Sequence, residues 1–211
     1  MSTLVRWERP DRGALFVVTG ASGSGKTTLL RRALAEIPGL EFSVSATTRG
    51  MRAGEQDGVD YHFVGHEHFD ELLGRDALLE WAQVYDNRYG TPREPVEAAL
   101  ADGRSVVLDI DVQGAAQVRE RFPQAVTVFV LPAAVEVLEQ RLRARGTDSE
   151  EVIAKRMSQL MGQLGECGAF DYLVVNDDLE TAHRCFQGVL LAELQRRDRR
   201  DALVRRFCDA G

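Results

Sequence analysis

Ala14-Leu15-Phe16-Val17-Val18-Thr19-Gly20-Ala21-Ser22-Gly23-Ser24-Gly25-Lys26-Thr27 is the stretch whose reading decides the fold. Its first five residues form an apolar run without polar alternation, the pattern of a strand covered on both faces. Beyond Thr27, Leu29, Leu30, Ala33, Leu34 and Ile37 recur at helical spacing until Pro38-Gly39 ends the pattern. Between strand and helix lies Gly20-x-x-x-x-Gly25-Lys26-Thr27, a complete phosphate-binding loop in its required context. Glycines let successive N–H groups curl around phosphate oxygens, and the helix N-terminus adds partial positive charge. Lys26 is placed to reach a transferred phosphate, and the Thr27 hydroxyl to ligate Mg²⁺.

Outward from this loop the chain repeats strand and helix. Ser105-Val106-Val107-Leu108-Asp109-Ile110, Val126 to Leu131 and Tyr172 to Val175 read as further buried strands, the last before a long C-terminal helix. The alternation predicts an α/β fold with a parallel sheet flanked by helices. Residues 45–100 break the rhythm, with short candidate strands around Tyr61-His62-Phe63-Val64 and Leu79-Glu80-Trp81-Ala82, and read as an inserted substrate-binding subdomain. A second interruption carries Arg141, Arg143 and Arg145 and ends in a capping box at Thr147 to Glu150. Asp109, at the carboxyl end of a parallel strand, falls where ligands bind in open α/β sheets and suits Mg²⁺ or its water shell.

Composition bounds the partners. The 211 residues carry a net charge of −7, which disfavours broad binding to nucleic acid or an anionic membrane. Lys26 and Lys155 are the two lysines, so arginine supplies the other 24 of 26 basic residues, and a lysine in the loop marks the need for a compact point charge. Cys167, Cys185 and Cys208 match neither a zinc site nor a redox pair and read as buried, reduced thiols of a cytoplasmic protein. No apolar run reaches membrane-span length. His62, His66 and His68 lack a cysteine partner and read as surface residues, while Trp81 and the Met157/Met161 pair read as core.

Further motifs follow in order: Ser43-Val44-Ser45-Ala46-Thr47-Thr48-Arg49, Gly54-Glu55, Asp57 to Val64, Glu80-Trp81-Ala82, Tyr89-Gly90-Thr91, Leu108-Asp109-Ile110-Asp111-Val112-Gln113-Gly114 and Val175-Asn176-Asp177-Asp178. With the loop, this ordered set resembles the guanylate kinase family from about residue 14 to the C-terminal helix. The resemblance implies a nucleoside monophosphate kinase-like fold: a P-loop core of residues 1–44, 101–140 and 166–211, a GMP-binding subdomain of 45–100, and a lid with its following helix at 141–165. It implies Mg²⁺-dependent transfer of the γ-phosphoryl group of ATP to GMP, in a monomer or small homo-oligomer.

By the same resemblance, Gly20, Ala21, Ser22, Gly23, Ser24, Gly25, Lys26, Thr27, Thr28, Arg141 and Asn176 bind ATP, with Asn176 near adenine. Arg49, Arg52, Tyr61 and Tyr89 hold the GMP phosphate; Ser45, Glu80, Thr91 and Asp111 face guanine. Lys26, Arg49, Arg145 and Arg156 form the catalytic charge set, and Thr27 and Asp109 the Mg²⁺ ligands. The chemistry agrees: guanidinium forks grip a phosphate, carboxylates accept from guanine N1–H and N2–H₂, and a hydroxyl donates to O6. Two positions depart from the family pattern, Met51 where a proline is usual and Arg88 where an aromatic is common. A kinase of a phosphorylated sugar would keep the loop without the base-reading set, and a non-catalytic phosphopeptide-binding module would tolerate decay of the loop.

Overall fold

Leu15–Gly20 forms β1 at the centre of a five-stranded parallel sheet in a computed structural model, which describes residues 9–21, 23–84, 86–136, 157–158 and 161–209. The other strands are β2 (Leu40–Phe42), β7 (Ser105–Asp109), β8 (Val126–Pro132) and β9 (Tyr172–Asn176), in the order β2-β7-β1-β8-β9. Each pairing is parallel, as the strand–helix alternation predicts.

The two faces of β1 explain its unbroken apolar run. Phe16 and Val18 pack with Leu29, Leu30 and Ala33 of α1 (Lys26–Glu36) and with Ala182, Phe186 and Leu190 of α5 (Leu179–Leu194). Leu15 and Val17 meet Val96, Ala99 and Leu100 of α3 (Arg93–Ala101) and Ala115 and Val118 of α4 (Val112–Arg121). Phe16 has no exposed surface, so its truncation to alanine should cost about 3–5 kcal/mol.

Between β2 and α3 the chain builds a second, four-stranded sheet in the order β4-β3-β6-β5. Its strands are β3 (Ala46–Thr47), β4 (His62–Phe63), β5 (Leu78–Val84) and β6 (Asn87–Pro92), with α2 (His66–Gly74) packed on it through Phe69, Leu72 and Leu73. Its mixed pairing contrasts with the larger sheet: β3 runs parallel to β4 and antiparallel to β6. Arg88 sets its guanidinium 4.8 Å from the Phe69 ring centroid and forms an ion pair to Asp70 at 2.5 Å.

The structure corrects several sequence expectations. Trp81 is 36% exposed because it lies on the edge strand of the small sheet, where it meets Phe69 edge-to-face. Met161 is 52% exposed, whereas Met157 packs against Ala21. The thiols are not buried: Cys185 and Cys208 are exposed and Cys167 is half-buried. The long C-terminal helix breaks after Leu194, and α6 (Asp201–Cys208) follows a 3₁₀ turn at Arg197–Arg199. That break lets Arg199 turn inward and donate to the Gly13 carbonyl oxygen, while Asp11 Oδ2 accepts from the Ala202 N–H at the start of α6. The capping box at residues 147–150 lies outside the described residues. Among the described residues no helix is long and apolar enough to cross a membrane.

Candidate active site

The site begins at the carboxyl end of β1, between β7 and β8, where the chain leaves the sheet in opposite directions and a crevice must open. Gly25 caps α1 in the left-handed region at φ 84°, and no side chain caps this N-terminus. Its first N–H groups are therefore available to a phosphate. By contrast, α4 and α5 close their N-termini with Asp111 and Asp178. The positive φ calls for glycine, and a Cβ at Gly25 would come within 2.2 Å of Asn176 Nδ2 and displace it. Asn176 Nδ2 donates to the Ser24 carbonyl oxygen at 2.7 Å, tying β9 to the loop.

Lys26 Nζ donates to Asp109 Oδ1, across 83 residues of sequence. The pair lines a cleft of about 290 Å³ that Ser45, Tyr61, Glu80, Tyr89 and Asp111 also border, together with Gln163. Thus a phosphate loop and a polar set from the second sheet share one cavity. Glu80 enters it from β5, whose alternate residues Glu80, Ala82 and Val84 all line the cleft. It is 4% exposed, and burial pushes its carboxyl up to about 7. A hydrogen bond from Thr91 opposes that rise, and the nearby Asp111 carboxylate adds to it. Asp111 spends one oxygen on the Gly114 N–H at 2.9 Å, as the cap of α4.

The guanylate kinase sequence model matches residues 12–193. The chain is 52% identical over 198 residues to a guanylate kinase of Rhodopseudomonas palustris, covering 92% of this chain and 90% of the relative. It is 49% identical over 182 residues to that of Carboxydothermus hydrogenoformans, covering 86% and 89%. The chain belongs to the guanylate kinase family. The crystal structure of guanylate kinase from Anaplasma phagocytophilum superposes with a TM-score of 0.77 at 29% identity, covering 96% of this chain and 99% of that one.

In this guanylate kinase family member, Arg49 and the two tyrosines form one cluster. The Arg49 guanidinium lies 5.4 Å from the Tyr61 ring centroid, and Tyr61 meets Tyr89 edge-to-face at 5.8 Å. Burial raises the Tyr61 hydroxyl pKa, keeping it a neutral donor. Arg52 is exposed on the loop beyond, joined to the cluster through its backbone N–H, which donates to Glu55 Oε2 at 2.8 Å.

Glu55, of the Gly54-Glu55 motif, has no role that the sequence alone assigns. Its two oxygens accept from Arg49 Nη2 and Nη1 at 2.8 and 3.0 Å, which raises the arginine pKa and lowers that of the carboxyl. The six-residue spacing from Arg49 was the available signal, but only a folded loop shows that the two side chains meet.

Two other residues carry hydrogen bonds that the sequence did not show. Thr91 has no exposed surface, and its hydroxyl, expected to donate to guanine O6, donates to Glu80 Oε1 at 2.6 Å. Asn176 is engaged by the loop carbonyl. Thr27 and Thr28 are exposed at the start of α1, while Ser22, Arg141, Arg145 and Arg156 lie outside the described residues. His62 is exposed, His66 and His68 contact Arg88 and Glu71, and among the described residues no three His, Cys, Asp or Glu gather as a metal site. Mg²⁺ usually keeps its waters and takes one or two protein oxygens plus substrate phosphates. The Asp109 carboxylate and Thr27 hydroxyl are hard oxygen donors of that kind.

Proposed function

We propose that the guanylate kinase activity of this chain, transfer of the γ-phosphoryl group of ATP to GMP, proceeds in the cleft between the two sheets by positioning and charge neutralisation. The reading rests on one observation above the rest: Lys26 and Asp109 of the large sheet line the same cavity as Tyr61, Glu80 and Tyr89 of the small one. In this division of labour residues 45–100 receive GMP and the P-loop core receives ATP.

The phosphate loop from Gly20 to Thr28 cradles the ATP phosphates through its N–H groups, and Lys26 exchanges Asp109 for phosphate oxygens when nucleotide enters. Asp109 and Thr27 would hold Mg²⁺, which when bound offsets charge on the triphosphate. Asn176 fixes the loop through Ser24 while bordering the adenine side. Arg49, Arg52, Tyr61 and Tyr89 take the GMP phosphate: guanidinium forks supply charge and tyrosine hydroxyls supply neutral donors. A phosphate oxygen is already nucleophilic at neutral pH, so alignment replaces a general base. Arg141, Arg145 and Arg156 complete the charge set from the lid, whose closure excludes water.

Base choice falls to Ser45, Glu80 and Asp111, with Thr91 acting on the base by orienting Glu80. The carboxylates accept from guanine N1–H and N2–H₂; adenine instead turns the N1 lone pair toward them. A site built around such bonds rejects the wrong base by something on the order of 10⁴-fold. The reading includes a cytoplasmic location, nucleotides as the partners, and a monomer or small homo-oligomer; the net charge of −7 disfavours broad binding to nucleic acid or an anionic membrane.

A coupled assay offering ATP with GMP, AMP or a sugar phosphate tests it. The expected result is turnover of GMP alone at low substrate. A GMP preference over AMP below about tenfold would remove the base-reading assignment.

A further inference from the structure

The strand that carries Glu80 is the edge of its sheet, since β5 pairs with β6 on one side only. An edge strand presents unpaired N–H and C=O groups, and its position is weakly held unless something covers them. Here α4 covers them with side chains. Gln117 Oε1 accepts from the Trp81 N–H at 3.1 Å, and Gln117 Nε2 donates to the Trp81 carbonyl oxygen at 2.7 Å. One turn on, Arg121 Nη1 donates to the Leu78 carbonyl oxygen at 3.1 Å. One turn back, a Cβ at Gly114 would come within 2.5 Å of Glu80 Oε2, so the helix backs directly onto the carboxylate. Gly114, Gln117 and Arg121 are spaced three and four apart, and therefore form one stripe along α4.

The two-bond geometry at Trp81 is that of a neighbouring strand, supplied by a single carboxamide. Trp81 is adjacent to Glu80 in sequence, so holding its backbone fixes where the Glu80 side chain leaves the strand. Asp111 caps the same helix that carries Gln117.

We propose that Gln117 is a positioning residue for base recognition: its carboxamide fastens the edge of β5 to α4 and so holds Glu80 and Asp111 at a fixed separation across the guanine site. This rests on the assignment of Glu80 and Asp111 to the base. Gln117 is not among the residues that line the cleft, and it acts through the strand. A sheet edge free to shift by a fraction of an ångström would still bind the GMP phosphate at Arg49 and Tyr61 but would misplace the carboxylate that reads the ring.

The test is a double-mutant cycle. Gln117→Met keeps length and packing while deleting donor and acceptor; Gln117→Glu keeps the acceptor for Trp81 N–H and sets an oxygen against the Trp81 carbonyl. Each is made alone and with Glu80→Gln, and kcat and KM are measured for GMP, AMP and ATP, alongside thermal unfolding. In the wild-type background each should raise KM for GMP about tenfold and erode the GMP-over-AMP ratio, with KM for ATP unchanged. In the Glu80→Gln background the same substitution should change the ratio little, because the residue through which it acts has already lost its role. An unmoved ratio in the wild-type background, or an equal loss in both backgrounds, overturns the proposal. If Gln117→Met does not fold, Gln117→Glu gives the same readings. A ratio unmoved by Glu80→Gln itself would instead sink the base assignment, and the proposal with it. A ratio that responds to Glu80→Gln but not to the Gln117 variants rejects Gln117 alone.

Discussion

Thr91 and Glu80, directly opposed on β6 and β5, share a 2.6 Å hydrogen bond in which the hydroxyl donates to the carboxylate in the interior of the small sheet. A hydroxyl has one proton to give, so while this bond stands Thr91 cannot also donate to a ligand. The bond also offsets part of the cost of burying the carboxyl, whose pKa burial and the nearby Asp111 charge still raise to about 7.

That balance predicts a pH-dependent affinity for GMP. With its pKa raised to about 7, Glu80 is largely protonated in the free protein below neutrality, whereas accepting from guanine requires the carboxylate. GMP binding should therefore release a proton near pH 7, and affinity should fall by up to about tenfold per pH unit below it. Calorimetric GMP titrations in buffers of differing ionisation heat would show this, and Glu80→Gln should remove both effects. Stability has its own sign. Because the folded pKa lies above the ordinary value, protonation favours the folded state, and that contribution is lost as pH rises through about 7. The melting-temperature gain of Glu80→Gln over wild type should grow from about pH 5 to about pH 8.

Arg49→Lys should be damaging although charge is retained. The guanidinium now binds both oxygens of Glu55 while facing Tyr61, and an ammonium cannot form the paired bonds to carboxylate or phosphate. We expect kcat/KM for GMP to fall by roughly 10- to 100-fold, with kcat and KM both affected and KM for ATP unchanged. Steady-state kinetics with each nucleotide varied in turn would decide, and an unaltered kcat/KM would mean that Arg49 contributes only diffuse charge.

Lys26→Ala should reduce kcat by about 10²-fold or more and leave GMP affinity within about threefold of wild type. The reason is spatial: Lys26 pairs with Asp109 at the large sheet, whereas Arg49, Tyr61 and Tyr89, proposed to hold the GMP phosphate, cluster at the small one. Fluorescence or calorimetric binding of GMP to the variant measures the second quantity independently of turnover. Retention of kcat within tenfold would strip Lys26 of its assigned part.

The sequence by itself determined what is local. The apolar run of β1, the loop from Gly20 to Thr27 and the periodic face of α1 are each legible within about ten residues, because strand and helix periodicities and backbone–phosphate chemistry act over that range. The short strand β4 falls within the candidate Tyr61-His62-Phe63-Val64, whereas β3, two residues long, was not legible, for no period fits in two residues. Tertiary structure alone decided which distant groups meet. Strand order put β1 between β7 and β8, and so set Lys26 beside Asp109. Antiparallel register set Thr91 opposite Glu80, and loop closure brought Glu55 onto Arg49. Helix packing laid Gln117 along the edge of β5 and left Trp81 at the surface. Charge, length and residue type fix what a side chain can bond, but only the register of strands and the seating of helices select its partner, and with it the pKa at which Glu80 works.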